Sequence, residues 1–399
     1  MSYRNIFIMR YFIYVFTFVF LASSTSVRAW NADNGELMTL ELGKQFSIQS
    51  RFLQESRKIL VHLPEGYEQS KRDYPVIYLL DGDSHFNHTV LASTILQQQN
   101  MIPASIVVAL PNNQGTRTRD LVNESENFQQ FISQEVTDFI NSQYRTSDIT
   151  TIFGHSLAGA FVLNAFVSDA MHFDNYIAAS PVLQRNDAEL VGKFEHLAKL
   201  RKTFTQSLYF TLTDSHQEGQ EATDALNKLV TVLKSEAPQS LHWHYEFIPD
   251  QIHMTTPYLT IFEGLAKVFS DYQAPRFLTY NDFTEYGGLK AAQQFFLLRG
   301  EKYGESAEIP ERYIRRLGFD FIDTNPKEAI ELFQLNVKKH PESPGALFGL
   351  ARGYENSDQK QKAMKSYQEA LTLAESQSAT SVAFLKRQVD RYKKILAGK

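Results

Sequence analysis

A chain of 399 residues with 43% apolar side chains is long enough for two domains and a sizeable core. A net charge of −5 with no basic stripe argues against nucleic acid as a partner. The absence of cysteine excludes disulfides, thiol catalysis and Cys-based zinc sites.

Residues Met1–Ala29 carry Arg4 and Arg10 ahead of a charge-free run from Tyr11 to Ala22. Val27-Arg28-Ala29 then offers a small-x-small cleavage site. This pattern predicts a secretory signal peptide, its apolar run too short to span a bilayer. The expected mature protein is exported, periplasmic or secreted, and keeps no stable membrane span.

Phe46, Ile48 and Ser50, then Ile59, Val61 and Leu63, alternate as half-buried strands do near a sheet edge. Tyr74 to Leu80 is a continuous apolar run, suited to a strand covered on both faces, and it stops at Asp81-Gly82-Asp83. A second such run, Ile106 to Leu110, stops at Pro111. Apolar residues from Phe128 to Tyr144 follow helical spacing.

Thr151-Ile152-Phe153 runs into Gly154-His155-Ser156-Leu157-Ala158-Gly159 and then into a helix-forming apolar stretch. A strand that turns sharply into a helix with Ser156 at the apex is a nucleophile elbow, and Gly154 and Ala158 are small where the turn crowds them. Tyr176–Ala179, Leu208–Leu212 and Trp243–Ile248 supply three later strands. Strands alternating with helices predict a mostly parallel sheet with helices on both faces, and reactive groups gather beyond the carboxyl ends of such strands.

The base is expected on the loop after the last strand, where His253 lies; His242 and His244 read as sheet-face residues. His155 reads as a packing residue beside the elbow. Asp214, Glu218 and Glu221 all follow the Leu208–Leu212 strand, and any of them could orient an imidazole. Glu218 is preferred, with Asp214 as the alternative. An oxyanion hole needs two backbone donors. Leu157 N–H is one, and the turn at Gly82 and Asp83 offers the other, Gly82 being preferred.

Leu63-Pro64-Glu65-Gly66-Tyr67, Tyr74 through Gly82, and Gly154 through Gly159 together resemble the putative-esterase family of α/β-hydrolases, which includes esterase D-like and enterochelin esterase-like enzymes. The resemblance runs from Leu40 to Asp271. It implies a Ser nucleophile at Ser156 and a base at His253. Ala158 stands where the family commonly has Gly, and Val182-Leu183-Gln184 lacks the Trp often found beyond the preceding strand. The implied substrates are siderophore-like trilactones, acylated sugars or aromatic esters.

Beyond Ala274 the composition turns helical. Ala329, Phe333 and Asn336 recur 34 residues later as Ala363, Tyr367 and Ala370. A 34-residue period with small residues at helix contacts resembles a short tetratricopeptide (TPR) array. The helix from Phe283 to Tyr303 is expected to complete the stack or dock it, and Ser381–Leu396 to cap it.

The expected organisation is a signal peptide over 1–29, an α/β-hydrolase domain over 30–274, a helical connector over 275–305 and TPR-like repeats over 306–399. The expected activity is hydrolysis of small carboxylic esters by Ser156, His253 and an acid, with neither a metal nor an organic cofactor. The repeats are expected to hold a protein partner or a second copy, or to shield the active-site mouth. The competing expectation is a non-catalytic hydrolase-shaped scaffold acting through its repeats.

Overall fold

Eight strands form one sheet in the computed structural model, which describes residues 41–168, 171–200 and 203–398. The segment read as a signal peptide lies outside the described residues. The strands are β1 (Lys44–Gln49), β2 (Ser56–His62), β3 (Tyr74–Leu80), β4 (Ile106–Leu110), β5 (Thr146–His155), β6 (Asn175–Ala179), β7 (Ser207–Leu212) and β8 (His242–Phe247). They lie side by side in the order β1-β2-β4-β3-β5-β6-β7-β8. β2 is antiparallel to both β1 and β4, and every pairing from β4 across to β8 is parallel. The mostly parallel sheet therefore carries an antiparallel edge, and the exposed pattern of β1 fits its edge position.

Helices α1 (Gly82–Gln98), α2 (Ser125–Gln130), α3 (Thr137–Gln143), α4 (Leu157–Ser168), α5 (Glu189–Phe194), α6 (Leu197–Leu200), α7 (Ser215–Glu218), α8 (Gln220–Glu236) and α9 (Thr256–Val268) connect and cover the strands. All seven residues of β3 are buried because the sheet is covered twice. Tyr78 and Leu80 join one core with Phe131, Phe161, Phe166 and Phe210. Ile77 and Leu79 join the other, with Phe153, Ile177, Leu265 and Phe269. Alternate side chains of a strand point to opposite faces, so a run that is apolar throughout needs both layers.

The helix expected from Phe128 to Tyr144 is divided. π-type turns at Arg119–Asn123 and Phe131–Val136 separate and precede α2 and α3. Phe128, Ile132, Val136 and Ile140 are all buried. In a regular helix such four-residue steps drift by about 40° each, and wider turns take up that drift.

The chain continues as α10 (Tyr280–Glu285), α11 (Gly288–Tyr303), α12 (Glu311–Phe321), α13 (Pro326–Lys339), α14 (Pro344–Asn356), α15 (Lys360–Ser376) and α16 (Val382–Leu396). The single helix expected over Phe283–Tyr303 is thus two. Gly287 and Gly288, at φ 108° and 61°, break it with a left-handed turn that other residues adopt only with strain. α11 joins one sheet core to the core of the helical region: Tyr303 packs with Phe269 and Tyr272 under the sheet, while Ala292 and Phe296 pack with Ile314 and Leu317. Glu305, just past α11, strengthens this junction. It accepts from Arg72 at 2.5 Å, Arg299 at 3.1 Å and the Tyr272 hydroxyl at 3.0 Å. Residues Leu42–Lys399 accordingly form one compact unit.

α12 to α16 are an all-helical region in which consecutive helices pack together. The residues recurring at 34-residue offset, Ala329 and Ala363, Phe333 and Tyr367, Asn336 and Ala370, are all fully buried. The Phe333 ring lies in a cradle of glycines. A Cβ built on Gly318 would sit 2.4 Å from a ring carbon, and on Gly349 or Gly353 2.8 Å. Only hydrogen at those three positions lets α12 and α14 close around the ring.

Candidate active site

Strands β3 to β8 run the same way, so the residues that follow them meet along one edge. At the end of β5, Ser156 takes φ 61°, in the left-handed region. Its N–H donates to the Ala179 carbonyl of β6 at 2.9 Å, and its own carbonyl accepts from Ala160 at 3.0 Å and Val182 at 3.2 Å. A non-glycine residue there costs on the order of 1–3 kcal/mol and persists when its surroundings dictate it. The turn is tight enough that a Cβ on Gly154 would lie 2.3 Å from the Ala158 carbonyl oxygen. Ser156 is half-buried at the apex.

His253 lies past β8, just before α9. Its Nδ1 is 2.7 Å from Oε2 of Glu218 at the end of α7, whose side chain is only 5% exposed. The other Glu218 oxygen, Oε1, is buried without a hydrogen-bond partner. Asp214 lies elsewhere, accepting from the Asp250 N–H at 3.0 Å and bracing the turn that leads to His253. Glu221 is exposed at the start of α8. Of the three carboxylates open on sequence grounds, the fold thus brings Glu218 to the imidazole.

His155 links this pair to the elbow. Its Nε2 lies 2.9 Å from the His253 carbonyl oxygen, which can only accept, so Nε2 carries the proton. The two rings lie 4.6 Å apart. The backbone of His253 is therefore held against the residue directly before Ser156. His155 is 4% exposed, and burial, reinforced by the His253 and His85 rings, pushes it down to about 4. His85 of α1 is likewise pushed down to about 4 by burial and by His88. Among the described residues, no group of three or more His, Asp or Glu is arranged to hold a metal ion.

Leu157 and Gly82 are the first residues of α4 and α1, so their N–H groups have no partner within those helices. They extend from β5 and β3, which are neighbours in the sheet. Position 82 also needs glycine for packing. A Cβ there would lie 2.8 Å from the Leu110 and Pro111 backbone, so the crowding comes from the end of β4. His244 is exposed and stacks flat on Tyr209 in the sheet, with ring centroids 5.8 Å apart. His242, at the start of β8, is also exposed.

Sequence reading missed Asp81 and Arg117. Asp81, at φ 51°, sets the turn that presents Gly82. Arg117 donates to both its oxygens at 2.7 Å, and Asn112 donates at 2.6 Å. Arg117 also reaches the His155 carbonyl at 3.3 Å, so one guanidinium ties the two turns together. The loop bearing Arg117 is anchored by Arg57, which is 1% exposed. Arg57 pairs with buried Asp120 at 2.5 Å and donates to the Pro111 carbonyl. An isolated Arg in a loop carries no periodicity that would reveal its partner, and only its charge could have drawn notice.

Residues 50–245 match the family model described as Putative esterase; the matched segment contains Ser156 and Glu218 and ends eight residues before His253. The chain is 29% identical over 174 residues to ferri-bacillibactin esterase BesA of Bacillus subtilis, which is 36% of this chain and 60% of that relative's length. Among solved structures, an IroE-like serine hydrolase from Shewanella oneidensis shares the fold with a TM-score of 0.56 at 22% identity. That likeness covers 74% of this chain and 99% of the other. An uncharacterised protein from Capnocytophaga ochracea gives a TM-score of 0.58 at 18% identity, over 88% of this chain and 99% of the other. That coverage is too long to end with the sheet and extends into the helical region. Residues 50–245, just under half of the chain, are thus similar to the putative-esterase family, and part of the chain is similar to a ferri-bacillibactin esterase.

Proposed function

We propose that this protein is an exported serine hydrolase of carboxylic esters. The observation that carries the reading is the 2.7 Å contact between His253 Nδ1 and a nearly buried Glu218, tied through His155 to the strained turn that presents Ser156. In this reading His253 Nε2 takes the Ser156 proton as the hydroxyl attacks the ester carbonyl, and Glu218 holds the imidazole in the required tautomer. The N–H groups of Leu157 and Gly82 stabilise the oxyanion, the proton passes to the leaving alcohol, and water releases the acyl group from Ser156. Similarity to a ferri-bacillibactin esterase favours siderophore-type lactone esters over acylated sugars and simple aromatic esters. Export rests on the composition of Met1–Ala29.

We assign the hydrolase to residues 30–274, a connector to 275–305 and a short TPR-like array to 306–399. The array reading is supported by the equivalent burial of the recurring residues. Such an array is suited to holding a protein partner or a second copy.

Reaction with a fluorophosphonate probe tests the activity. Labelling of the wild type and its loss in Ser156→Ala is the expected outcome. An unlabelled wild type would favour a non-catalytic scaffold, and persistent labelling of the variant would move the nucleophile elsewhere. A panel of lactone, aryl and sugar esters on the purified protein then ranks the substrate classes.

A further inference from the structure

A cavity of about 800 Å³ lies between the sheet-bearing part and the helical region, lined in part by Gln99, Asn100 and Gln273. It lies away from Ser156. α1 begins beside the catalytic edge at Gly82 and runs 17 residues, roughly 25 Å, before Gln99. Five arginines line the cavity, Arg276, Arg299, Arg312, Arg315 and Arg316, and among its described lining residues none is Asp or Glu. Arg299 is paired with Glu305 and Arg315 with Glu311. Among the described residues, Arg276, Arg312 and Arg316 have no salt bridge.

Arg316 is the telling member. Its Nε and Nη2 are buried with no hydrogen-bond partner. Burial, then the charge of Arg276, outweigh Asp320 and depress its pKa. A guanidinium offers five N–H donors in a rigid fork suited to carboxylate or phosphate oxygens, and leaving buried ones unpaired is unfavourable. The Arg316 fork lies over the Tyr313 ring at 5.1 Å, and that of Arg299 over Phe296 at 4.9 Å, so aromatic faces hold the cations in place. Like charges converge where no carboxylate of the protein lines the cavity.

We propose that this cavity binds a small organic oxyanion carrying two or more negative charges, at a site separate from the ester-cleaving one. Arg276, Arg312 and Arg316 supply charge that no salt bridge ties up, Asp320 offsetting it only in part, and Phe296, Tyr313 and Phe319 face its apolar body. The volume suits a ligand of metabolite size and fits the range of small-molecule sites.

Titration calorimetry of the full chain with tripolyphosphate and with citrate, at about 0.15 M salt, tests this. Saturable one-to-one binding of either supports the site, and preference for one distinguishes phosphorylated from polycarboxylate ligands. Arg316→Gln and Arg276→Gln should each weaken binding by about tenfold or more. Arg387→Gln, at an exposed position of α16, should leave it unchanged, as should Ser156→Ala. Arg276 is exposed, so its substitution leaves the fold intact, and a thermal melt checks Arg316→Gln. Failure of both anions to bind at millimolar concentration would overturn the proposal. So would binding that survives both substitutions unchanged.

Discussion

Glu218 touches His253 through one oxygen and keeps the other buried and unpartnered. A buried carboxylate without full hydrogen bonding is costly unless a charge faces it, and an imidazolium forming during catalysis would supply that charge. Glu218→Gln keeps the shape and removes the charge. If the proposed mechanism holds, kcat should fall by about 10²–10⁴-fold with KM little changed, because the loss falls on the transition state. A kcat within a few-fold of wild type would show that Glu218 only packs. His253→Ala is a less clean test, since it strands the Glu218 charge and confounds activity with stability.

At the scale of elements, two joints depend on missing side-chain atoms. The elbow closes because Gly154 has no Cβ to meet Ala158. The helical region closes because Gly318, Gly349 and Gly353 surround Phe333. Alanine is the better helix former by about 1 kcal/mol, so propensity alone would make Gly318→Ala stabilising. A contact at 2.4 Å with an aromatic ring that is itself fully buried opposes this, and overpacking costs about 1–3 kcal/mol or more. We expect a net loss of about 1–2 kcal/mol, read by urea unfolding. A gain would mean that Phe333 can move aside. The break at Gly287 and Gly288 belongs to the same scale: it lets α11 leave the direction of α10 and carry Tyr303 under the sheet.

For the whole molecule, the buried histidines beside the site make stability depend on pH. His85 and His155 are both pushed down to about 4, against an ordinary value near 6.5. Below pH 6.5 the unfolded chain takes up protons that the folded protein refuses, so stability falls as pH drops from about 6.5 to about 4. Below about 4 both states are protonated and this contribution levels off. A pKa displaced by one pH unit between the folded and unfolded chain corresponds to about 1.4 kcal/mol, which sets the scale of the loss. Thermal or urea unfolding at pH 7, 6 and 5 should show a steady loss. In His85→Gln, which cannot charge, the slope should be shallower. An identical slope in that variant, or greater stability at pH 5 than at pH 7, would contradict this account. Glu355, held down to about 2 mainly by Arg391 and Tyr367 against burial, adds its own loss only at lower pH.

The layout of the sheet-bearing region was legible in the sequence because its signals are local. A run apolar at every position, such as Tyr74–Leu80, states that both faces are covered, and Gly154 to Gly159 states a sharp turn from strand to helix. The 34-residue recurrence likewise marked which helical residues would be buried. Composition and periodicity report whether a residue is buried, and they do not report which distant residue it meets. Which carboxylate meets His253 depends on two loops 35 residues apart, and which cation braces Asp81 on a contact across 36. The arginine-lined cavity draws on segments as distant as Gln99 and Arg316. The sequence by itself determined the strands, the elbow and the helical tail. Only the tertiary structure decided which charged groups face one another, because charge pairing is set by distance in space and leaves no period along the chain.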